Sequence, residues 1–250
     1  MDEGRAPAVA LVTGAGHGIG REVARQLAGR GMTVMLTARG PEKGEAAARE
    51  PSQEGQEVRS AALDVTDEES VKKLAGEVEG EFGRLDVLVN NAAAFVDWSE
   101  TALTADLDAA RAVLDTNLFG AWRVCLAFAP LVRRSEHGRI VNVSSGAGSH
   151  GDPQFGLTTG RGSVASYGIS KATINALTSK LAAELEGTGV LVNSVCPGLT
   201  ATAPGMEEMG ARPVPEGAAS VVWAATLPDE GPTGGFFRDG KPVPLSLIHI

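Results

Sequence analysis

Six short runs of β-branched and apolar residues recur along the chain: AVALVTG, MTVMLTAR, EVRSAALDV, LDVLVNNAA, GRIVNVSS and GVLVNSVCPG. Segments of helical spacing separate most of them. Strands joined by helices pair in parallel, because each crossover returns the chain to the same end of the sheet. Val87, Leu88 and Val89, or Ile140, Val141 and Val143, form near-continuous apolar blocks. Such blocks suit a sheet covered by helices on both faces and not a sandwich. An α/β fold with a doubly wound parallel sheet is therefore expected, with a seventh strand around GGFFRDG. A chain of 250 residues, 43% of them hydrophobic, can bury such a core as one domain. Residues 1–250 read as that single domain, with a core of about 8–243 and a tail at 245–250 to which no function is attached.

Charge and cysteine usage narrow the partners. A net charge of −9 argues against nucleic acid or an anionic membrane as the main partner, although a local basic pocket remains compatible with a phosphate. Cys125 and Cys196 are isolated from each other, so neither a metal or redox CxxC nor a disulfide framework is expected. The opening MDEGRAPAVALVTG lacks the pattern of an export signal, and no uninterrupted apolar run reaches bilayer length. A soluble cytoplasmic protein is expected.

The first chemical motif is TGAGHGIG, residues 13–20, which follows the first strand and opens a helix. Its backbone N–H groups and the helix N-terminus would face an anion, which implies phosphate binding. Gly14, Gly18 and Gly20 follow a GxxxGxG spacing in place of GxGxxG. The second strand closes with Thr37, Ala38 and Arg39, without the carboxylate that would accept from an NAD ribose. Arg39, with His17 and Lys43 as nearby cations, favours the 2′-phosphate of NADP(H). The alternative is a solvated arginine at a strand end. Asp64 after the third strand is either an acceptor for the adenine amino group or a cap for the helix that follows.

The chain's single tyrosine lies in SVASYGISKATINAL, a segment expected to be helical from about 163–165. Lys171, four residues after Tyr167, shares its helical face, and a neighbouring ammonium is expected to lower the phenol's pKa toward that of a working general acid. A packed tyrosine beside a solvated lysine is the competing reading. Upstream, GRIVNVSSGAG ends a strand where open α/β sheets bind ligands. Strand alternation turns only one serine toward a site, and Ser145 is preferred over Ser144 as donor to a carbonyl oxygen. Asn117 sits in a helical segment despite poor helix propensity, which points to a polar task or a tolerated bend.

TGxxxGxG at Thr13–Gly20, NNAA at Asn90–Ala93, Asn117, Ser145, YxxxK at Tyr167 and Lys171, and PG at Pro197 and Gly198 occur in one order. Together they resemble the short-chain dehydrogenase/reductase superfamily, in particular its NADPH-dependent carbonyl reductases, over residues 8–243. The resemblance implies a Rossmann-type sheet of seven strands in the order 3-2-1-4-5-6-7 and a catalytic tetrad of Asn117, Ser145, Tyr167 and Lys171. Ser145 would position the substrate oxygen and Tyr167 exchange the proton. Lys171 would bind the nicotinamide ribose, and Asn117 would support a water leading to solvent. By the same resemblance Gly14, Gly16, His17, Gly18 and Ile19 line the pyrophosphate, and Asp64 and Val65 the adenine. Asn91 and Ala92 line the ribose side. Val195, Pro197, Gly198, Thr200 and Thr202 hold the nicotinamide.

Two departures stand out: the family's usual NNAG is NNAA here, and the Ser145 to Tyr167 segment is several residues longer than usual. The longer segment is similar, on a smaller scale, to an insertion in monomeric carbonyl reductases of the family, so monomer and homo-oligomer both stay open. Phe95, Val96, Trp98, Met206 and Met209 are candidate apolar walls for a hydrophobic or aromatic carbonyl, or simply loop packing. His150 and Asp152 touch a polar substrate group or are plain loop residues, and no metal is expected. No GxSxG pentapeptide supports a serine hydrolase. An NADP-binding sensor of the same fold and an alcohol dehydrogenase working in the oxidative direction are the alternatives to a carbonyl reductase.

Overall fold

The computed structural model describes residues 6–245, so the opening residues 1–5 and the tail beyond Leu245 lie outside the described residues. Among the described residues eight strands form one sheet: β1 (Val9–Val12), β2 (Thr33–Ala38), β3 (Val58–Ala62), β4 (Val87–Asn90), β5 (Arg139–Val143), β6 (Leu191–Val195), β7 (Phe236–Arg238) and β8 (Lys241–Pro242). Their order is β3-β2-β1-β4-β5-β6-β7-β8. All pairings are parallel except β7 with β8, a hairpin of two short strands that extends the seven expected ones.

Among the described residues seven α-helices flank the sheet: α1 (Gly18–Ala28), α2 (Pro41–Gln53), α3 (Glu68–Phe82), α4 (Leu107–Leu114), α5 (Ala121–Val132), α6 (Ala165–Glu184) and α7 (Val214–Ala225). Every residue of β1, β2, β4, β5 and β6 is buried, as expected for strands covered on both faces. One core lies under α1 and α7, where Val23, Leu27, Val221 and Val222 pack on Val12, Val34 and Val141. The opposite core lies under α3, α5 and α6, around Leu74, Phe128, Leu185, Leu88 and Ile140.

Helix ends follow local chemistry. Asp67 caps α3 by accepting from Glu69 N–H at 3.0 Å, and Gly83 ends that helix in the left-handed region at φ 69°. The helix-cap alternative for Asp64 is thereby corrected. Its Oδ1 accepts instead from the Thr66 N–H and hydroxyl at 2.9 and 2.7 Å, a side-chain turn that starts two residues after the end of β3.

Between α4 and α5 the backbone widens into a π-helical turn, Asp115–Gly120, making one continuous helical run over Leu107–Val132. By length and composition alone this run could cross a membrane, although Asp108, Arg111, Asp115 and Arg123 interrupt its apolar residues. Here Val124, Phe128 and Leu131 pack in the sheet core, and Phe119, Trp122 and Leu126 lie exposed on the other side.

Candidate active site

The strands' C-terminal ends carry the candidate residues to one edge of the sheet, as a parallel sheet must. The turn after β1 is built on glycine: Gly14 and Gly18 have φ values of 62° and 57°. A Cβ on Gly14 would stand 2.6 Å from the Ala92 Cα, so the NNAA segment can lie against the turn only where the side chain is missing. Asn91 fastens the two segments by donating from Nδ2 to the carbonyls of Thr13 and Gly14 at 2.9 and 3.0 Å. The Thr13 hydroxyl accepts in return from the Asn91 and Ala92 N–H groups at 2.9 and 3.0 Å. The clamp sets this glycine turn at the N-terminus of α1, with His17 exposed at the helix cap.

Gly16 stands where a Cβ would meet Ala38 at 3.3 Å and Lys43 at 3.5 Å, so the turn abuts the end of β2. Arg39 and Lys43 are exposed there. Asp64 is across the way, its carboxyl held below its ordinary value first by the Thr66 hydroxyl, with the Arg39 charge contributing. Val65 is buried next to Gly120, where any Cβ would stand 2.7 Å from its methyl group. On the opposite side Thr202 comes within 3.4 Å of the position a Gly18 Cβ would take, so the segment after β6 folds over the glycine turn.

A cleft of about 390 Å³ continues from Ile19 along Pro197, Gly198, Thr200 and Thr202 to Ser145 and Tyr167. Ser145, half-buried after β5, lines the cleft together with Tyr167 and accepts from Ala147 N–H at 3.2 Å. Ser144 donates its hydroxyl to the Lys171 carbonyl at 3.3 Å and so is committed to helix backbone, not to the loop. Lys171 is buried, donates from Nζ to the Val143 carbonyl at 2.9 Å and lies 5.5 Å from the centre of the Tyr167 ring. Asn117 sits in the π-helical turn, accepting from Ala94 N–H at 2.7 Å and donating to Ser170 Oγ at 2.9 Å. The bend that its poor helix propensity suggested is there. Ser145 and Lys171 thus flank one phenol, and Asn117 ties the π turn to α6 through Ser170.

The electrostatic expectation for that phenol is reversed. Burial pushes the Tyr167 hydroxyl up, the Ser145 hydrogen bond pulls it partly back, and Cys196 adds to the upward push. Burial also lowers Lys171 from 10.5 to about 8. Residues four apart on a helix do share a face, but here Lys171 is buried and Tyr167 half-buried at the cleft, and desolvation of both groups outweighs their attraction.

Other sequence expectations divide. Phe95, Val96, Trp98 and Met206 line the cleft together with Phe155 from the longer loop, whereas Met209 is 63% exposed outside it. Phe95 stacks on Tyr167 with ring centres 4.9 Å apart and planes at 21°. Neither His150 nor Asp152 borders the cleft: His150 is exposed, and Asp152 is buried and ion-paired with Arg238. The Val195 side chain packs in the core and its carbonyl accepts from Ser144 N–H at 2.8 Å, so it too is outside the cleft.

Three positions escaped notice in the sequence. Glu100 accepts from Ser166 N–H at 2.8 Å, capping α6 just before Tyr167. Arg212 donates from Nε to the Pro197 carbonyl at 2.6 Å, holding the turn whose Gly198 has φ 74°. Thr13 is the hydroxyl of the clamp. Only Thr13 carried a signal, as the first residue of the glycine motif.

A model of the family described as short chain dehydrogenase matches residues 8–211. The chain is a short-chain dehydrogenase/reductase. Among curated members of that family, short-chain dehydrogenase/reductase 1 of Saponaria officinalis is 32% identical, with 94% of this chain and 95% of that protein covered. Carbonyl reductase (NADPH) 1 of Sus scrofa is 34% identical, with 94% and 93% covered. Among solved structures, a metagenomic short-chain oxidoreductase in complex with NADP superposes with a TM-score of 0.76 at 32% identity, covering 92% of this chain and 96% of that one. The short-chain dehydrogenase/reductase chain described here is therefore an oxidoreductase of a family that binds nicotinamide cofactors, with the expected strand order through β7.

Proposed function

We propose that this protein is a cytoplasmic NADP(H)-dependent reductase that converts a hydrophobic, aromatic-bearing ketone or aldehyde to its alcohol. The observation that carries the reading is the pairing of Ser145 with Tyr167 in an apolar cleft continuous with a glycine-built anion cradle. The residues present fit such a cofactor: Gly14 and Gly18 hold the turn after β1 in the left-handed region at the start of α1, and exposed Arg39 and Lys43 follow β2 with no carboxylate at its end. Gly14, Gly16, His17, Gly18 and Ile19 would surround the pyrophosphate, and Arg39 with Lys43 the 2′-phosphate. Asp64 and Val65 would meet the adenine and Asn91 and Ala92 the adjoining ribose. Lys171 would hold the nicotinamide ribose, and Pro197, Gly198, Thr200 and Thr202 the nicotinamide. The names of the pig and metagenomic relatives, which carry NADPH and NADP, support the choice of cofactor.

Bound there, NADPH would supply the hydride that reaches the carbonyl carbon. Tyr167 stays protonated at neutral pH because burial raises its pKa, so it enters the reaction as a loaded acid. Its proton passes to the carbonyl oxygen as the C=O double bond opens, and Ser145 donates a hydrogen bond to that same oxygen. The Lys171 ammonium then lies close to the phenolate that remains, lowering the cost of that charge. Asn117 keeps the start of this helix pair in place through Ser170 and the Ala94 backbone. Phe95, stacked on the acid, keeps water from it and offers a flat apolar face beside Trp98 and Phe155.

NADPH oxidation is to be followed over aromatic aldehydes, quinones, diketones and β-keto esters, with NADH and Tyr167→Phe as controls. Turnover with NADPH that falls at least about a thousandfold in Tyr167→Phe is expected, the usual span for a lost acid being 10²–10⁴. Tight NADPH binding without turnover on any carbonyl would turn the reading toward a cofactor sensor.

A further inference from the structure

The cleft has two walls from distant parts of the chain, and one side chain touches both. One wall is the Cys196–Gly198 turn after β6, and the other is the long loop between Ser145 and α6, which contributes Gln154 and Phe155. Arg238, the last residue of β7, lies behind them. Its Nε and Nη2 approach the Cys196 sulfur at 3.3 and 3.2 Å, and Nη2 is ion-paired with the Asp152 carboxylate.

Asp152 is the pivot of its loop. Its side chain is 1% exposed, and Oδ1 accepts from the backbone N–H groups of Gln154 and Phe155 at 3.0 and 2.8 Å. The same carboxylate therefore fixes the backbone of two cleft-lining residues and ties them to the guanidinium. On the other side the Cys196 sulfur accepts from the N–H groups of Gly146 and Gly198 at 3.3 and 3.4 Å, so the turn is held by the group Arg238 grips. Other anchors of the loop run from the Ser149 hydroxyl to the Pro244 carbonyl, from His150 N–H to the Leu245 carbonyl, and from Asn175 Nδ2 to the Gly148 carbonyl at 3.2 Å. Those are neutral hydrogen bonds, whereas the Asp152–Arg238 link is charge-assisted and mostly shielded from water.

We propose that Asp152 and Arg238 form a clasp that positions Phe155 and Gln154 against the Cys196–Gly198 turn and so sets the width of the substrate cleft. The inference rests on the carbonyl-reductase reading for the identity of what enters the cleft. Neither residue borders the cleft; both are positioning residues that select substrates by size.

The test uses the full chain with Asp152→Asn, Arg238→Gln, Arg238→Lys and the Asp152→Asn/Arg238→Gln double variant. Each is assayed at saturating NADPH with a short aliphatic aldehyde and with a bulky aromatic ketone, and amide exchange of residues 153–156 is followed by mass spectrometry. In Asp152→Asn and Arg238→Gln, KM for the bulky ketone is expected to rise about tenfold with kcat within about twofold, while KM for the small aldehyde moves less than twofold. Exchange at 153–156 should accelerate about tenfold or more with the middle of α6 unchanged. The double variant should be no worse than either single one, because the two residues act as a unit. Arg238→Lys, which keeps the charge, should recover part of the KM.

Equal effects on both substrates, a fall in kcat without a KM split, or unchanged exchange at 153–156 would each overturn the clasp. If the wild type reduces no carbonyl at all, the functional reading fails separately, and accelerated or unchanged exchange still decides whether the clasp exists.

Discussion

Replacing Lys171 by methionine should make the protein respond to pH differently, and the size of the effect follows from burial. The Lys171 side chain is nearly inaccessible, and burial lowers its pKa from 10.5 to about 8. A lysine whose folded-state pKa lies below its unfolded value destabilises the folded protein wherever the unfolded chain holds the proton more tightly. Below pH 8 that penalty is fully present, at about 3 kcal/mol, the order set by about 1.4 kcal/mol per pH unit. It shrinks as pH rises through the interval from 8 to 10.5 and is gone above it. Between pH 7 and 9.5 the wild type should therefore gain about 2 kcal/mol relative to Lys171→Met, in which this titration is missing. The lost hydrogen bond to Val143 costs the variant about 1–3 kcal/mol, but equally at both pH values, so it drops out of the comparison. Urea unfolding of both proteins at pH 7, 8, 9 and 9.5, at one protein concentration, reads the difference directly. Stability curves that run parallel over that range would refute the claim that desolvation governs this lysine, and with it the account of why Tyr167 is held protonated.

Two further outcomes test the supports of the site. Glu100→Ala removes the carboxylate that caps α6 at Ser166 N–H; unfolding by urea should show a loss of about 1 kcal/mol, and activity should fall because Tyr167 begins the next turn. Arg39→Asp places a carboxylate where β2 ends, so KM for NADPH should rise by at least tenfold while that for NADH falls, read from initial rates with each cofactor.

The architecture was legible because its signal is local. Apolar blocks such as Val87–Val89 and Ile140–Val143 could be satisfied only by a sheet covered on both sides, and β4 and β5 are buried along their whole lengths. The eighth strand was not legible, since Lys241 and Pro242 carry no period and pair only because the turn at Asp239, φ 53°, folds them back on β7. Within the site, Gly14 and Gly18 were readable because positive φ has a strong residue preference, and Tyr167 with Lys171 because a spacing of four has one meaning on a helix.

The acidity of that pair was misjudged from the same spacing. Which residues share a helical face is decided by 3.6 residues per turn; whether water reaches that face is decided by what packs over it, here Phe95 above the ring and β5 beneath the lysine. The supports were invisible for a related reason. Glu100 and Ser166 are 66 residues apart in sequence, and Asp152 and Arg238 are 86. Short-range periodicity and backbone preference are properties of neighbouring residues, and the sequence by itself determined the sheet, the glycine cradle and the tyrosine helix through them. Desolvation and long-range polar pairing depend on which surfaces meet after folding, so the protonation state of the acid and the two walls of the cleft were decided by tertiary structure alone.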